Sequence, residues 1–458
     1  MVFSTFTFLY FFLPLVLIFY FMIPNRVWKN GVLLAFSLVF YGWGEPRFLL
    51  LMLAASLVAY LGGLLIHRWQ GGLKKTALIA TVTLLVGNLF VFKYLNFAAE
   101  NLRISLPQIA LSIGISFYTF QILSYVVDLY RGKIGLQKNF FYLTLYVSFF
   151  PQLIAGPIVR YQTVEDEIRN RQESWSDVAC GFRRFAVGLA KKAVLANSAG
   201  ALSSLIYSGD PAVYGTGWYW VAAVAYALQI YFDFSGYSDM AIGLGRIFGF
   251  HFQENFNYPY TATSVTDFWR RWHISLSSWF RDYIYIPLGG NRVSKPRRIF
   301  NILVVWGLTG FWHGAQWNFL RWGLYYAVLL LLEKLLLHRL LEKLPRFFGW
   351  LYTFVAVLVG WVFFNQTDLA VAAASLGQMF AFRFPPFSEA ILANSTVLNA
   401  FLYLPLGLIC CLPWVKKWRL KSTPTTDLLL NVVSVVLLVV SLLFISGSTY
   451  NPFIYFRF

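Results

Sequence analysis

Eleven long apolar runs, separated by short basic loops, set the strongest limit on how this chain can fold. They lie near residues 5–23, 31–66, 77–95, 108–127, 141–156, 184–207, 217–250, 299–337, 347–364, 398–414 and 427–446, the second interrupted at Gly44 to Pro46. A helix needs about 20 apolar residues to cross a bilayer, because every backbone N–H and C=O in the hydrocarbon must be paired within the protein. The runs therefore predict an all-α polytopic membrane protein with roughly eleven to thirteen transmembrane or re-entrant helices, some of them partial. Composition agrees: 59% of the 458 residues are hydrophobic, only 12% are charged, and the mean hydropathy is +0.61, far above that of a soluble domain.

The first run lacks a basic leader and a small-residue cleavage site and contains Pro14, so it is expected to be a retained span rather than a signal peptide. Cys180, Cys410 and Cys411 form no C-x-x-C pair, and neither a disulfide framework nor a zinc site is expected. The net charge of +18 does not point to nucleic acid, because the basic residues fall in loops between spans instead of along one face. The positive-inside rule accounts for them better. The clusters are Arg26 and Lys29; Arg68, Lys74 and Lys75; Arg131, Lys133 and Lys138; Arg292, Lys295, Arg297 and Arg298; Arg339, Lys343 and Arg346; and Lys416, Lys417, Arg419 and Lys421. Placing all six in the cytoplasm requires bent or re-entrant segments at 141–156 and 236–250, and it puts both termini outside.

No solenoid repeat, low-complexity tract or long linker divides the chain, so residues 1–458 are expected to form a single integral membrane domain with its core near 108–340. The longest polar excursions are 157–183 and 365–397. The second contains Pro385 and Pro386 and is expected outside, where it could cover a site or meet a partner. Residues 264–286 are too charged for a span. On a helical wheel Trp269, Trp272, Leu276, Trp279, Phe280 and Tyr283 share a face opposite Arg270, Ser277, Ser278 and Arg281, which predicts one amphipathic helix at the inner surface with His273 on the border between faces.

Two of the five histidines, His273 and His313, fall in one tryptophan-rich stretch. A neutral imidazole can take a proton near pH 7, and almost nothing else around His313 can. Its helix is expected to start after Pro296 and run outward from Arg298, which carries His313 about 20 Å into a hydrocarbon core about 30 Å thick. Continued through His313, helical spacing puts Trp306, Thr309, Gly310, Gln316 and Trp317 on its face, with Gly307 and Gly314 close by. Small residues there leave room for a ligand, or they simply let two helices approach. For His273 the plainer account is headgroup contact, and the functional one is donor-side binding or proton transfer. Arg270, Arg271 and Arg281 could hold phosphates of a cytoplasmic cofactor or of anionic lipid. Asp233 and Asp239 sit in an apolar run broken by Gly236, and are expected to tie to arginines such as Arg270 or Arg271 in a structural role. The absence of G-x-S-x-G, H-E-x-x-H and P-loop patterns argues against a serine hydrolase, a zinc protease or an ATP-driven pump.

The segments SFFPQLIAGPIVRY (148–161), QIYFDFSGYSDMAIGLGRIFGF (229–250), NFNYPYTATSVTDFWRRWHISLSSWFRDYIYIPLGGNR (255–292) and GFWHGAQWNF (310–319) resemble the membrane-bound O-acyltransferases, and within them the bacterial alginate O-acetyltransferase branch, related to the D-alanyl transferase of teichoic acids. The likeness extends from FYGWGEPRFL (40–49) to NPFIYFRF (451–458). It implies helices around a central funnel or tunnel, His313 of W-H-G as the catalytic residue, and His273 as the family's second histidine. It further implies transfer of an acyl group from a cytoplasmic thioester, acetyl-coenzyme A or an acylated carrier protein, with no bound prosthetic group or metal. The acceptor side would be an exported polysaccharide or cell-wall glycan at the cytoplasmic membrane, reached through a separate extracytoplasmic partner of the SGNH hydrolase type. Trp306, Trp312 and Trp317 are candidate oxyanion donors and Gln316 a candidate substrate contact, with His313 as general base or as acyl acceptor. Competing expectations are D-alanyl or other acyl transfer, or a non-catalytic transport or scaffold subunit of a secretion complex.

Overall fold

The computed structural model describes residues 1–385, 391, 394–414, 423–447 and 453–454, and every regular element among them is helical. The last basic cluster (Lys416, Lys417, Arg419, Lys421), Pro386, and all of the terminal NPFIYFRF except Phe453 and Ile454 lie outside the described residues. The described chain divides into two compact units, Met1–Phe185 with Tyr237–Gln253, and Ala186–Gly236 with Glu254–Phe458.

The first unit is built on α1 (Leu13–Met22), α2 (Arg26–Gly42), α3 (Pro46–Arg68), α4 (Gly71–Leu89), α5 (Leu95–Asn101) and α6 (Ile115–Tyr130). The shorter α7 (Phe140–Ser148), α8 (Phe150–Leu153), α9 (Tyr161–Val164) and α10 (Glu167–Asn170) follow. Pro46 opens α3 where its missing N–H costs nothing, and Asn25 caps α2 by accepting from Val27 N at 2.8 Å and Trp28 N at 3.1 Å. The run 141–156 is broken at Phe149, which joins α7 to α8 with non-helical backbone (φ −54°, ψ 110°). Beside the apolar core is a polar knot: Glu173 accepts from Tyr20 at 2.5 Å, Arg26 at 2.6 Å and Lys29 at 3.0 Å. Burial favours the protonated acid, but the hydrogen bonds from Arg26, Tyr20 and Lys29 outweigh it and bring the Glu173 carboxyl down to about 2.

α11 (Trp175–Ala190) and α13 (Pro211–Ile247) run between the units in sequence, with α12 (Asn197–Tyr207) between them. The expected bend at Gly236 is absent. The helix continues there, and Gly236 instead lets the backbone of Gly188 approach, since a Cβ would sit 2.7 Å from the Gly188 carbonyl oxygen. The expected partners of the two acids are also corrected. Asp239 pairs with Arg184 at 2.9 Å, Asp233 is bonded to Lys192, and Arg271 pairs with Asp267 one turn away in its own helix. Arg184 and Lys192 lie 55 and 41 residues upstream of their acids, in the helical stretch 175–196, so a neighbouring helix supplies each counter-ion without ordering a loop.

The second unit continues with α14 (Val265–Arg271), α15 (Ile274–Phe280), α16 (Lys295–His313), α17 (Trp317–Leu332), α18 (His338–Lys343), α19 (Arg346–Asn365), α20 (Leu369–Phe380), α21 (Ser395–Cys410) and α22 (Pro424–Gly447). The single amphipathic helix expected over 264–286 is therefore two seven-residue helices. They break at Trp272, which is extended, and at His273, which is left-handed. The two faces survive the break: Trp269, Trp272, Leu276, Trp279 and Phe280 are buried, as is the border residue His273, while Arg270 and Arg281 are exposed and Ser277 and Ser278 half-buried. Breaking the helix lets both halves bury their aromatic rings. Pro46–Arg68, Gly71–Asn101, Arg346–Asn365 and Pro424–Gly447 are long and apolar enough to cross a bilayer, and Thr7–Met22, Leu369–Phe380 and Ser395–Cys410 are shorter apolar helices.

Candidate active site

His313 is the last residue of α16, and Gly314, in extended backbone, ends the helix there. The reason is packing against α17. A Cβ on Gly310 would lie 2.3 Å from the Phe319 carbonyl oxygen, one on Gly323 would lie 2.3 Å from that of Trp306, and one on Gly314 would enter the Phe319 ring at 2.3 Å. Gly310, Gly314 and Gly323 thus serve close helix approach. Gly307 is roomier, with Leu320 at 3.9 Å. The tight turn aims the His313 ring into an aromatic box, with ring centroids at 5.0 Å to Trp312, 5.0 Å to Trp322 and 5.4 Å to Phe364.

His273 reaches the same place from the break between α14 and α15. Its φ of 43° and ψ of 57° are uncommon for a side chain of this size, though histidine tolerates the left-handed region better than most residues. The neighbouring backbone over-determines it: Ile274 N donates to Asn255 O at 2.9 Å, and Asn257 N donates to Arg271 O at 2.9 Å. The ring is only 1% exposed and packs edge-on against Phe234 at 4.6 Å and Trp312 at 5.9 Å. Its Nδ1 is 3.1 Å from Asn255 Oδ1.

The start of α14 is fixed twice. Ser264 accepts from Asp267 N at 3.0 Å, and the buried carboxylate of Glu333 accepts from Val265 N at 2.5 Å, Thr266 N at 2.9 Å and the Thr266 hydroxyl at 2.6 Å. A carboxylate from another helix thereby takes the N-terminal N–H groups that α14 cannot satisfy itself.

Both histidines line one cavity of about 1010 Å³. Its wall also includes Trp269, Trp306, Thr309, Glu333 and the exposed cations Arg270, Arg281 and Lys334, so the cavity joins buried imidazoles to solvent-facing positive charge. Of the other sequence candidates, Trp312 is buried against both imidazoles, Arg271 is taken up by Asp267, and Asp233 and Asp239 are in their ion pairs away from the cavity wall. Gln316 and Trp317 do not line the cavity. The helix that was to carry them past His313 stops there, and both are exposed. Asn255, Ser275, Glu333, Trp322 and Phe364 were not singled out from sequence. Glu333, a lone acid in LLLLEKLLL, carried a signal, since an acid in an apolar run demands partners. Nothing in the spacing marked the others.

A multi-pass helical membrane protein with a histidine pair enclosed beside a charged opening defines the class: a membrane-embedded transferase. The model of the membrane-bound O-acyltransferase family matches residues 3–376. The chain belongs to that family, and it is an O-acyltransferase. It is 36% identical to the probable alginate O-acetylase AlgI of Azotobacter vinelandii over the whole of both chains. It is 30% identical to the peptidoglycan O-acetyltransferase of Helicobacter pylori over 100% of this chain and 98% of the other. The teichoic acid D-alanyltransferase of Bacillus subtilis is 30% identical over 52% of this chain and 62% of its own length.

Proposed function

We propose that this protein moves an acetyl group from a thioester donor on the cytoplasmic side of the cytoplasmic membrane toward a hydroxyl of an exported polysaccharide or cell-wall glycan. The observation that carries the reading is the single cavity joining His273 and His313 to Arg270, Arg281 and Lys334. His313 and His273 are its catalytic residues, within one acyltransferase domain. An imidazole lone pair takes the proton of the attacking hydroxyl, the oxygen bonds to the thioester carbonyl carbon, the carbon–sulfur bond breaks, and the thiol leaves with the proton returned to it. Such a base contributes about 10²–10⁴ in rate. The indole N–H groups of Trp269 and Trp322 are buried with no hydrogen-bond partner among the described residues, which favours them, together with Trp306 on the wall, as donors to the developing oxyanion.

Acetyl-coenzyme A is the proposed donor. Exposed guanidinium and ammonium groups on the wall suit its phosphates, and the relatives matched over the whole chain are named for O-acetyl transfer, whereas the D-alanyltransferase matches about half of it. We place the acceptor outside, with an SGNH-type partner completing the transfer. In the native host, His313→Ala or His273→Ala should abolish glycan acetate esters while polymer export and membrane insertion persist. Ester content unchanged in both variants refutes the enzyme reading, and loss of export with esters retained favours a conduit or scaffold.

A further inference from the structure

We propose that Asn255 is a positioning residue that fixes His273 as the Nδ1–H tautomer, so that Nε2 is the nitrogen carrying a lone pair for the reaction. The proposal rests on the catalytic reading of His273 given above.

The assignment follows from which atoms can donate. Asn255 Oδ1 is 3.2 Å from Ser275 N, and a backbone N–H is an obligate donor, so the atom facing it is the carbonyl oxygen and not the amide nitrogen. The Ser275 hydroxyl donates to the same oxygen at 2.8 Å. That oxygen also lies 3.1 Å from His273 Nδ1. An acceptor at this distance calls for a donor opposite it, so the ring proton sits on Nδ1. The alternative, with the Ser275 hydroxyl turned toward Nδ1, is longer at 3.4 Å and would leave two lone pairs facing each other across the Asn255 contact.

The other ring nitrogen is then unprotonated. Nε2 of His273 is buried and has no hydrogen-bond partner among the described residues, although its ring lines the cavity. A buried polar atom without a partner is costly and is retained where something else completes it. Phe234 and Trp312 hold the ring plane, and the left-handed backbone at His273 is what brings Nδ1 back onto Asn255. The same division of labour, in which one ring nitrogen is pinned so that the other can react, orients imidazoles in many enzymes. His313 shares the cavity wall with this ring, Glu333, Arg270, Arg281 and Lys334 line the same cavity, and Asp233, next to Phe234 in the chain, is tied to Lys192.

The test uses inside-out membrane vesicles containing the full chain and follows thiol release from acetyl-coenzyme A as a function of pH, against the His313→Ala background. Asn255→Leu, which cannot accept from Nδ1, should lower turnover about 10²-fold. Asn255→Asp should stay active, with the acidic limb of its pH profile moved up by about 1 unit or more, because a carboxylate stabilises the imidazolium and the base is lost to protonation at higher pH. A residue that only holds the fold would not move that limb. Each variant is checked for monodisperse elution in detergent. If Asn255→Leu does not fold, Asn255→Asp decides by its pH limb alone. Folded Asn255→Leu with wild-type turnover, or an active Asn255→Asp with an unshifted limb, overturns the positioning role while inactive His273→Ala and His313→Ala leave the catalytic reading intact. Wild-type release no greater than the His313→Ala background, or full activity in His273→Ala, overturns the catalytic reading and the Asn255 role together.

Discussion

Gly310→Ala joins packing to chemistry in one substitution. The added methyl would lie 2.3 Å from the Phe319 carbonyl oxygen and 3.0 Å from its carbon, and ordinary contact begins near 3.4 Å. Both atoms are backbone, so no side chain can rotate away, and α16 and α17 must separate locally by about 1 Å. Overpacking of this kind costs about 1–3 kcal/mol, against which alanine's better helix propensity returns at most about 1 kcal/mol. The stability loss should appear as a lower midpoint of thermal unfolding in detergent. His313 is three residues further along the same helix, and a displacement of about 1 Å at a reacting group can cost 10²-fold in rate. Acetyl transfer should therefore fall by more than the stability loss explains. Gly307→Ala is the control, because its methyl meets nothing nearer than Leu320 at 3.9 Å: it should leave turnover unchanged and the midpoint unchanged or raised, by the equivalent of at most about 1 kcal/mol. A Gly310→Ala protein that melts and turns over like wild type would refute the claim that this glycine sets the helix spacing and places the imidazole.

Glu333→Leu should destabilise the second unit by about 1–3 kcal/mol for each N–H of Val265 and Thr266 left without its acceptor, and should depress turnover through α14, whereas Glu333→Gln, which keeps one acceptor, should lose less; thermal unfolding of the pair checks it, and equal midpoints would argue against the cap. The depressed carboxyl of Glu173 makes stability depend on acid. Its folded value of about 2 lies below the ordinary 4.5, so its contribution is complete above that value and is lost as pH falls toward 2. Glu173→Gln should flatten the pH dependence of unfolding in that window, and a slope identical to wild type would show that the carboxylate is not linked to folding.

What the sequence determined by itself was the solvent and the chemistry. The apolar runs forced helices because lipid offers the backbone no hydrogen-bond partners, and the break at Gly44 to Pro46 was visible because proline favours the first turn. His313 stood out because an imidazole among tryptophans has few rivals for a proton. The tertiary structure decided which residues meet. A wheel assumes an unbroken helix, and the left-handed backbone at His273 ended that assumption, turning a border residue into a buried one held by Asn255 from 18 residues upstream. The stop after His313 likewise turned Gln316 and Trp317 to the exterior, because the close contact of Gly310 with Phe319 is made between helices and leaves no mark in the spacing of either. The partners of Asp233 and Asp239 were hidden for the same reason: a buried charge announces that it needs a counter-ion, and only the packed helices say which one is near enough to serve.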